Sequence, residues 1–243
     1  MVQQYKELVV ITGANSGVGL ACAKRFSELG HALLLLDLKV DVVSGLALPH
    51  AMALQVDVSD GPAMTEAVQQ AEREFGPVDC IVNNAGVIRM DSVANQQSSD
   101  FALMFKVNVM GMLNGIQAVL PGMIAREKGT IINMGSLGGH KLIPNQTVYC
   151  GSKHAVHGIG EGLREELSQH NVRLSTIAPG AIETALLESN QKPEFKQGQD
   201  QWAKSIGGIL SAEEVAANIV YVYQQPQHVC IREIVLAATR QQL

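Results

Sequence analysis

Apolar runs of strand length alternate with helix-length periodic segments from one end of this chain to the other, and few architectures accept that order. Strands are read at Glu7–Ile11, Ala32–Leu36, Met52–Val56, Cys80–Val82, Thr130–Met134, Val172–Ile177 and Glu233–Leu236. Helices are read at Gly17–Leu29, Gly61–Phe75, Ser99–Arg126, Val148–Gln169 and Ala212–Tyr223, with Gly30 and the Gly76-Pro77 pair as stops. Ala32–Leu36 is apolar at every position, which suits a parallel strand buried on both faces. The alternation implies an α/β fold, a doubly wound parallel sheet of about seven strands in a single domain over 1–243. One region, 183–208, shows no clear period and is read as a functional loop over a substrate site.

Composition narrows the function. Of the 243 residues, 47% are hydrophobic but only 4% aromatic, so the core is mainly aliphatic. The net charge is −5 with no basic run, which argues against a nucleic-acid partner. The N-terminus lacks a signal-peptide pattern, and no stretch is read as long enough to span a bilayer. The expected setting is cytoplasmic, with no membrane partner. Cys22, Cys80, Cys150 and Cys230 form no CxxC pair, so neither a disulfide nor a zinc site is expected, and no metal.

The turn after the first strand carries chemistry. In Val10–Ala21, VITGANSGVGLA, three glycines sit where a strand gives way to a helix. Backbone N–H groups at a helix N-terminus, together with its dipole, favour an anion. Gly13 allows the tight turn, Gly17 lets the backbone approach a pyrophosphate, and Gly19 lets helix and strand pack closely. An ordinary tight turn would explain the same glycines, since the spacing is not GxGxxG. Asp37 raises the odds of a dinucleotide site. It ends the second strand, where an acid accepts hydrogen bonds from an adenosine ribose and repels a 2′-phosphate. Ser16 occupies the loop position where a phosphate-binding base could sit. NAD is therefore favoured over NADP, and Lys39 is the one residue that tempers this.

A second motif is Tyr149-x-x-x-Lys153, which places both side chains on one helix face. A nearby ammonium stabilises a phenolate, lowers the tyrosine pKa and makes a general acid/base for a hydroxyl proton. A surface tyrosine over a lysine stem gives the same spacing. Ser136 follows the fifth strand, at the sheet edge where doubly wound folds bind ligands. Asn108 interrupts an apolar helix and needs partners if buried. It is read either as an amide satisfied by a neighbouring carbonyl or as a polar link holding a water beside Lys153.

With these residues in place the chain resembles the classical short-chain dehydrogenase/reductase family, and the Rossmann-type fold is what the resemblance implies. The matching positions are Thr12 to Gly19 (with Asn15, Ser16 and Val18), Asp57-Val58, Asn83-Asn84-Ala85-Gly86, Asn108, Ser136, Tyr149 and Lys153, and Pro179-Gly180 with Thr184. The resemblance implies that Ser136 orients a substrate oxygen and that Tyr149 moves the proton. It implies that Lys153 binds the nicotinamide ribose, and that Asn108 completes a water-linked relay. Asp57 and Val58 look like adenine contacts, and Asn84, Ala85 and Gly86 look like part of the cofactor wall. Ile182 and Thr184 look like contacts to the nicotinamide amide. The implied reaction interconverts a secondary alcohol and its ketone with NAD, with NADP as the lesser alternative.

Three features qualify the match. The 38–51 link is short, which leaves the adenosine end more open. The Tyr149 helix carries Gly158, Gly160 and Gly162, and close approach of another helix would compensate; in this family the Asn108 and Tyr149 helices commonly meet across a homodimer or homotetramer interface. The tail from Arg232 resembles members that oxidise 3-hydroxy acids. Candidate substrate contacts are Ile88, Arg89, Leu137, Leu142, Ile143, Gln146 and Trp202. Arg89 is read either as a carboxylate fork or as a solvated rim charge, and His140 as a turn residue. A non-catalytic dinucleotide sensor is the alternative function; it has no need of Asn108, Ser136, Tyr149 and Lys153 together.

Overall fold

The computed structural model describes residues 5–183 and 193–242. Seven strands form one parallel sheet: β1 (Lys6–Thr12), β2 (His31–Asp37), β3 (Ala51–Gln55), β4 (Val78–Asn83), β5 (Gly129–Met134), β6 (Val172–Pro179) and β7 (Glu233–Leu236). Their order across the sheet is β3-β2-β1-β4-β5-β6-β7. The chain begins in the middle, works out to β3, and returns to β4. That reversal puts a topological switch point between β1 and β4, where a crevice opens beyond the strand ends.

Strand periodicity divides the core. Leu8 and Val10 face one apolar layer, with Met64, Ile116 and Val156. Val9 and Ile11 face the other, with Phe26 and Ile219. Alternate side chains point to opposite faces of a strand, so a strand apolar at every position must be covered twice. Helices α3 (Gly61–Phe75), α5 (Met112–Ala125) and α6 (Thr147–Leu167) supply the first layer. Helices α1 (Gly17–Glu28) and α8 (Ala212–Tyr223) supply the second. The α8 start is fixed by a capping box between Ser211 and Glu214.

The structure departs from the sequence reading in four places. The single helix expected over 99–126 is α4 (Ser98–Phe105), a π-helical segment (Lys106–Gly111), and then α5. The wide turn brings Gly111 against Val58, where a Cβ would come within 2.6 Å of the valine Cγ2. Asn108 lies inside this segment, and π turns often mark functional sites. The stretch Ser98–Ala125 is also long and apolar enough, by composition, to cross a membrane, contrary to the expectation that none was. Here Met104, Met112, Ile116, Val119 and Met123 are buried in the protein core. A one-turn helix, α2 (Asp41–Gly45), occupies the short link after β2. Finally, 183–208 is not all loop, because α7 spans Pro193–Ser205. Its sequence, PEFKQGQDQWAKS, is too polar to show an apolar stripe.

Candidate active site

A cleft of about 1020 Å³ runs along the sheet edge, lined at the ends of β2, β1, β4, β5 and β6 by Asp37, Gly13, Asn84, Ser136 and Gly180. The glycine turn takes the shape its residues require. Gly13 and Gly17 have φ of 65° and 50°, values that side-chain-bearing residues rarely adopt. Both line the cleft with Ser16 and Val18. Gly19 does not; a Cβ there would collide with the Gly13 carbonyl, so its role is to let α1 approach the turn. Asn15 also lies outside the lining. Its side chain is turned to α2, donating to Asp41 at 3.0 Å and accepting from the Val43 N–H at 2.9 Å. This side chain braces α2 against the turn.

Asp37 faces the cleft, and its carboxylate accepts from the Asn15 N–H at 3.0 Å and the Lys39 N–H at 3.3 Å. Asp57 and Val58 line the same end. Ser59 donates to Asp57 through both its N–H and its hydroxyl, and these bonds hold that carboxyl below its ordinary pKa. On the facing wall Asn84 donates to the Thr12 carbonyl at 2.9 Å, locking the turn after β4 to the turn after β1. Ala85 and Gly86 follow in the lining. Asn83 pairs instead with Asn133 across β4 and β5 at 3.0 Å and is buried.

The four expected catalytic side chains are all buried and gather at the β5 end. Ser136 caps the short 3₁₀ turn Leu137–Gly139, its Oγ accepting from the Gly138 N–H at 3.0 Å. Its hydroxyl and the Tyr149 ring flank Gly138, where a Cβ would lie 3.4 Å from Ser136 Oγ and 3.5 Å from the ring. Lys153 stands one helical turn on, its Nζ 5.8 Å from the Tyr149 ring centroid. That ammonium donates to the Met134 carbonyl at 2.7 Å. Burial pushes the Tyr149 phenol up to about 12, with the Ser136 side chain acting against the rise. Burial alone pulls Lys153 down to about 8. Burial sets the direction of the Tyr149 shift, and the Lys153 ammonium is directed at the Met134 carbonyl.

Of the two readings of Asn108, its side chain takes the first, an amide satisfied by a neighbouring carbonyl. Its Oδ1 accepts from the Val87 N–H at 2.7 Å, and its Nδ2 donates to the Val87 carbonyl at 2.9 Å and Ser152 Oγ at 3.0 Å. Both amide hydrogens are used, so the side chain stitches the turn after β4 to the π segment and to α6. It does not line the cleft. Gly86 joins these groups, since a Cβ there would lie 3.3 Å from Asn108 Oδ1 and 3.9 Å from Lys153 Nζ.

Pro179, Gly180 and Ile182 line the far wall, while Thr184 falls outside the described residues. Of the expected substrate contacts, Ile88, Arg89, Leu137, Ile143, Gln146 and Trp202 line the cleft. Leu142 is 72% exposed and is not part of the lining. Arg89 is half-buried, with Asp100 at 3.6 Å and a bond to the Ile88 carbonyl, rather than a free rim charge. Sequence reading missed Gln241 and Gln242. Gln241 accepts from the Ala181 N–H at 3.2 Å, a contact between the chain's end and β6 that no local pattern encodes.

Residues 7–194 match the family model for short chain dehydrogenase. An uncharacterized oxidoreductase of Staphylococcus saprophyticus is 32% identical over 243 residues, covering 98% of this chain and 98% of its own. The closed form of serine dehydrogenase complexed with NADP+ superimposes with a TM-score of 0.89 at 28% identity, covering 97% of this chain and 96% of that one. An alcohol dehydrogenase from the archaeon Thermococcus sibiricus, complexed with 5-hydroxy-NADP, has a TM-score of 0.84 at 25% identity and covers 98% of both chains.

Proposed function

The chain belongs to the short-chain dehydrogenase family, and on that premise we propose that it interconverts a secondary alcohol and its ketone, with Tyr149 as the general acid/base. The observation that carries this is the gathering of buried Ser136, Tyr149 and Lys153 in a cleft reaching the glycine turn. A sensor that only bound a dinucleotide would not need to bury a phenol, a hydroxyl and an ammonium together, since burying an ammonium costs several kcal/mol.

The cleft fits a nicotinamide dinucleotide. Gly13, Ser16, Gly17 and Val18 would hold the pyrophosphate, Asp37 the adenosine ribose, and Asp57 and Val58 the adenine. Asn84, Ala85, Gly86, Lys153, Pro179, Gly180 and Ile182 would enclose the nicotinamide end. When bound, that group takes up or releases a hydride. Ser136 then holds the substrate oxygen, and Tyr149 gives or takes its proton.

NAD is the proposed cofactor. Asp37 stands in the cleft, and a 2′-phosphate there would face its negative charge. The NADP complexes among the structural relatives are the competing observation. For the substrate, a 3-hydroxy acid type is supported by Arg89, the one guanidinium in the described lining, and by the likeness to serine dehydrogenase. A second copy of this chain is the proposed partner, with Phe105 and Met110 exposed on the α4–α5 face.

The test is fluorescence titration of the protein with NADH and NADPH, followed by turnover of serine, other 3-hydroxy acids and simple secondary alcohols. Tighter NADH binding and oxidation of a panel member are expected. Binding of neither dinucleotide would overturn the proposal, and binding without turnover of any alcohol or ketone would favour the sensor.

A further inference from the structure

A cluster of titratable groups that the proposed chemistry does not use sits directly behind Ser136. His157 lies on α6, one turn beyond Lys153, and is mostly buried. Its ring occupies a slot between Gly135 and Gly139; a Cβ on either glycine would collide with it. Its Nδ1 is 2.8 Å from Glu233 Oε1 on β7. His140 Nε2 lies 3.0 Å from the same oxygen, and the two imidazoles meet edge-on with centroids 4.5 Å apart. On the other side of the ring, the Ser136 backbone N–H donates to His157 Nε2 at 3.3 Å.

That last bond assigns the tautomer. Nε2 accepts, so the ring proton resides on Nδ1, where the Glu233 carboxylate receives it. We propose that His157, fixed by Glu233, is a positioning residue: it clamps the segment from Met134 to His140 so that Ser136 stays beside Tyr149. The proposal rests on the oxidoreductase reading of that same site. It runs as a chain of bonds from β7 through α6 to the turn after β5, and none of its members beyond Ser136 lines the cleft.

The electrostatics agree. Burial lowers His157 to about 4, against the attraction of Glu233, and His140, Lys153 and His154 add to the lowering. The ring therefore stays neutral, and an acceptor, near pH 7. The folded-state value lies below the ordinary 6.5, so the stabilisation it gives is present above that pH. It is lost as pH falls toward 4, when a protonated Nε2 would face the Ser136 N–H. The three ring and carboxylate atoms also lie within 4.8 Å of one another, near enough for a cation. A cation there would take the Nδ1 lone pair and put the proton on Nε2. The Ser136 contact and cation binding are mutually exclusive, and the contact selects the cation-free arrangement.

Side-chain NMR of the full chain with isotope-labelled histidine reads the tautomer without any substrate. The expected result is Nδ1–H for His157 at neutral pH, unchanged by added zinc. In parallel, His157→Phe keeps a ring in the slot and removes the acceptor. With the best alcohol of the panel, its kcat is expected to fall at least about tenfold, with NADH affinity within about twofold of wild type. His157→Gln, whose amide oxygen can accept the Ser136 N–H, is expected to recover most of that loss. An Nε2–H tautomer, stoichiometric zinc binding abolished by His140→Ala, or a His157→Phe enzyme that turns over like wild type would overturn the proposal. If wild type turns over no alcohol, the oxidoreductase reading fails, and the tautomer still decides whether the clamp exists.

Discussion

The Lys153 ammonium donates to the carbonyl of Met134 at 2.7 Å and stands 5.8 Å from the centre of the Tyr149 ring. The charge needed at the site is held by the backbone of β5 and kept dry. Charge and burial oppose each other there, and the balance is measurable.

Lys153 has a folded-state pKa of about 8 against an ordinary 10.5, so the unfolded chain binds more protons between those values. Stability without cofactor is expected to rise through that window, and the Tyr149 shift to about 12 is expected to reverse the trend above pH 10. Lys153→Met is expected to stabilise the cofactor-free protein at pH 7. The shift represents about 3 kcal/mol, less about 1–2 kcal/mol for the unpaired Met134 carbonyl. Urea unfolding of both proteins across pH 7–10 checks the sign. A less stable Lys153→Met protein would refute it.

Asp37→Ala removes the negative charge at the adenosine end and releases the Asn15 and Lys39 amides. The ratio of NADH to NADPH affinity is expected to fall by about tenfold or more, the equivalent of roughly 1.4 kcal/mol. Fluorescence titration with both dinucleotides measures it. An unchanged ratio would mean that another group sets the preference.

Asn108→Leu removes the partner of both Val87 backbone groups in a buried place. A loss of about 1–3 kcal/mol is expected, because two part-buried backbone groups are left unsatisfied. Thermal unfolding reports it, and cofactor affinity is expected to weaken as the turn after β4 loosens. A near-neutral Asn108→Leu would show that water replaces the amide.

The fold was legible because its strands carry apolar runs of strand length. Leu33 to Leu36 admit no surface position, and the strand–helix alternation does the rest. Ser136, Tyr149 and Lys153 were legible because spacing on one helix and a strand end fixes them. Gly19 packs the helix against the turn and Asn108 satisfies a neighbouring carbonyl, both as read. Which partner Asn15 and Asn108 would take was not legible, because Asp41 and Val87 are distant in sequence. α7 escaped notice because its residues carry no apolar stripe, and Gln241 because its partner, Ala181, is far along the chain. Local pattern reports strands and turns; it does not report which turn a side chain will brace.

The most direct test of the central claim compares wild type with Tyr149→Phe in NADH titration and in hydride transfer with the alcohol and ketone panel. Phenylalanine keeps the ring and removes only the hydroxyl that would move the proton. The account predicts that NADH binds both proteins with similar affinity, while turnover falls by about 100- to 10,000-fold, the usual range for a lost general acid/base. A Tyr149→Phe protein that turns over like wild type would contradict it.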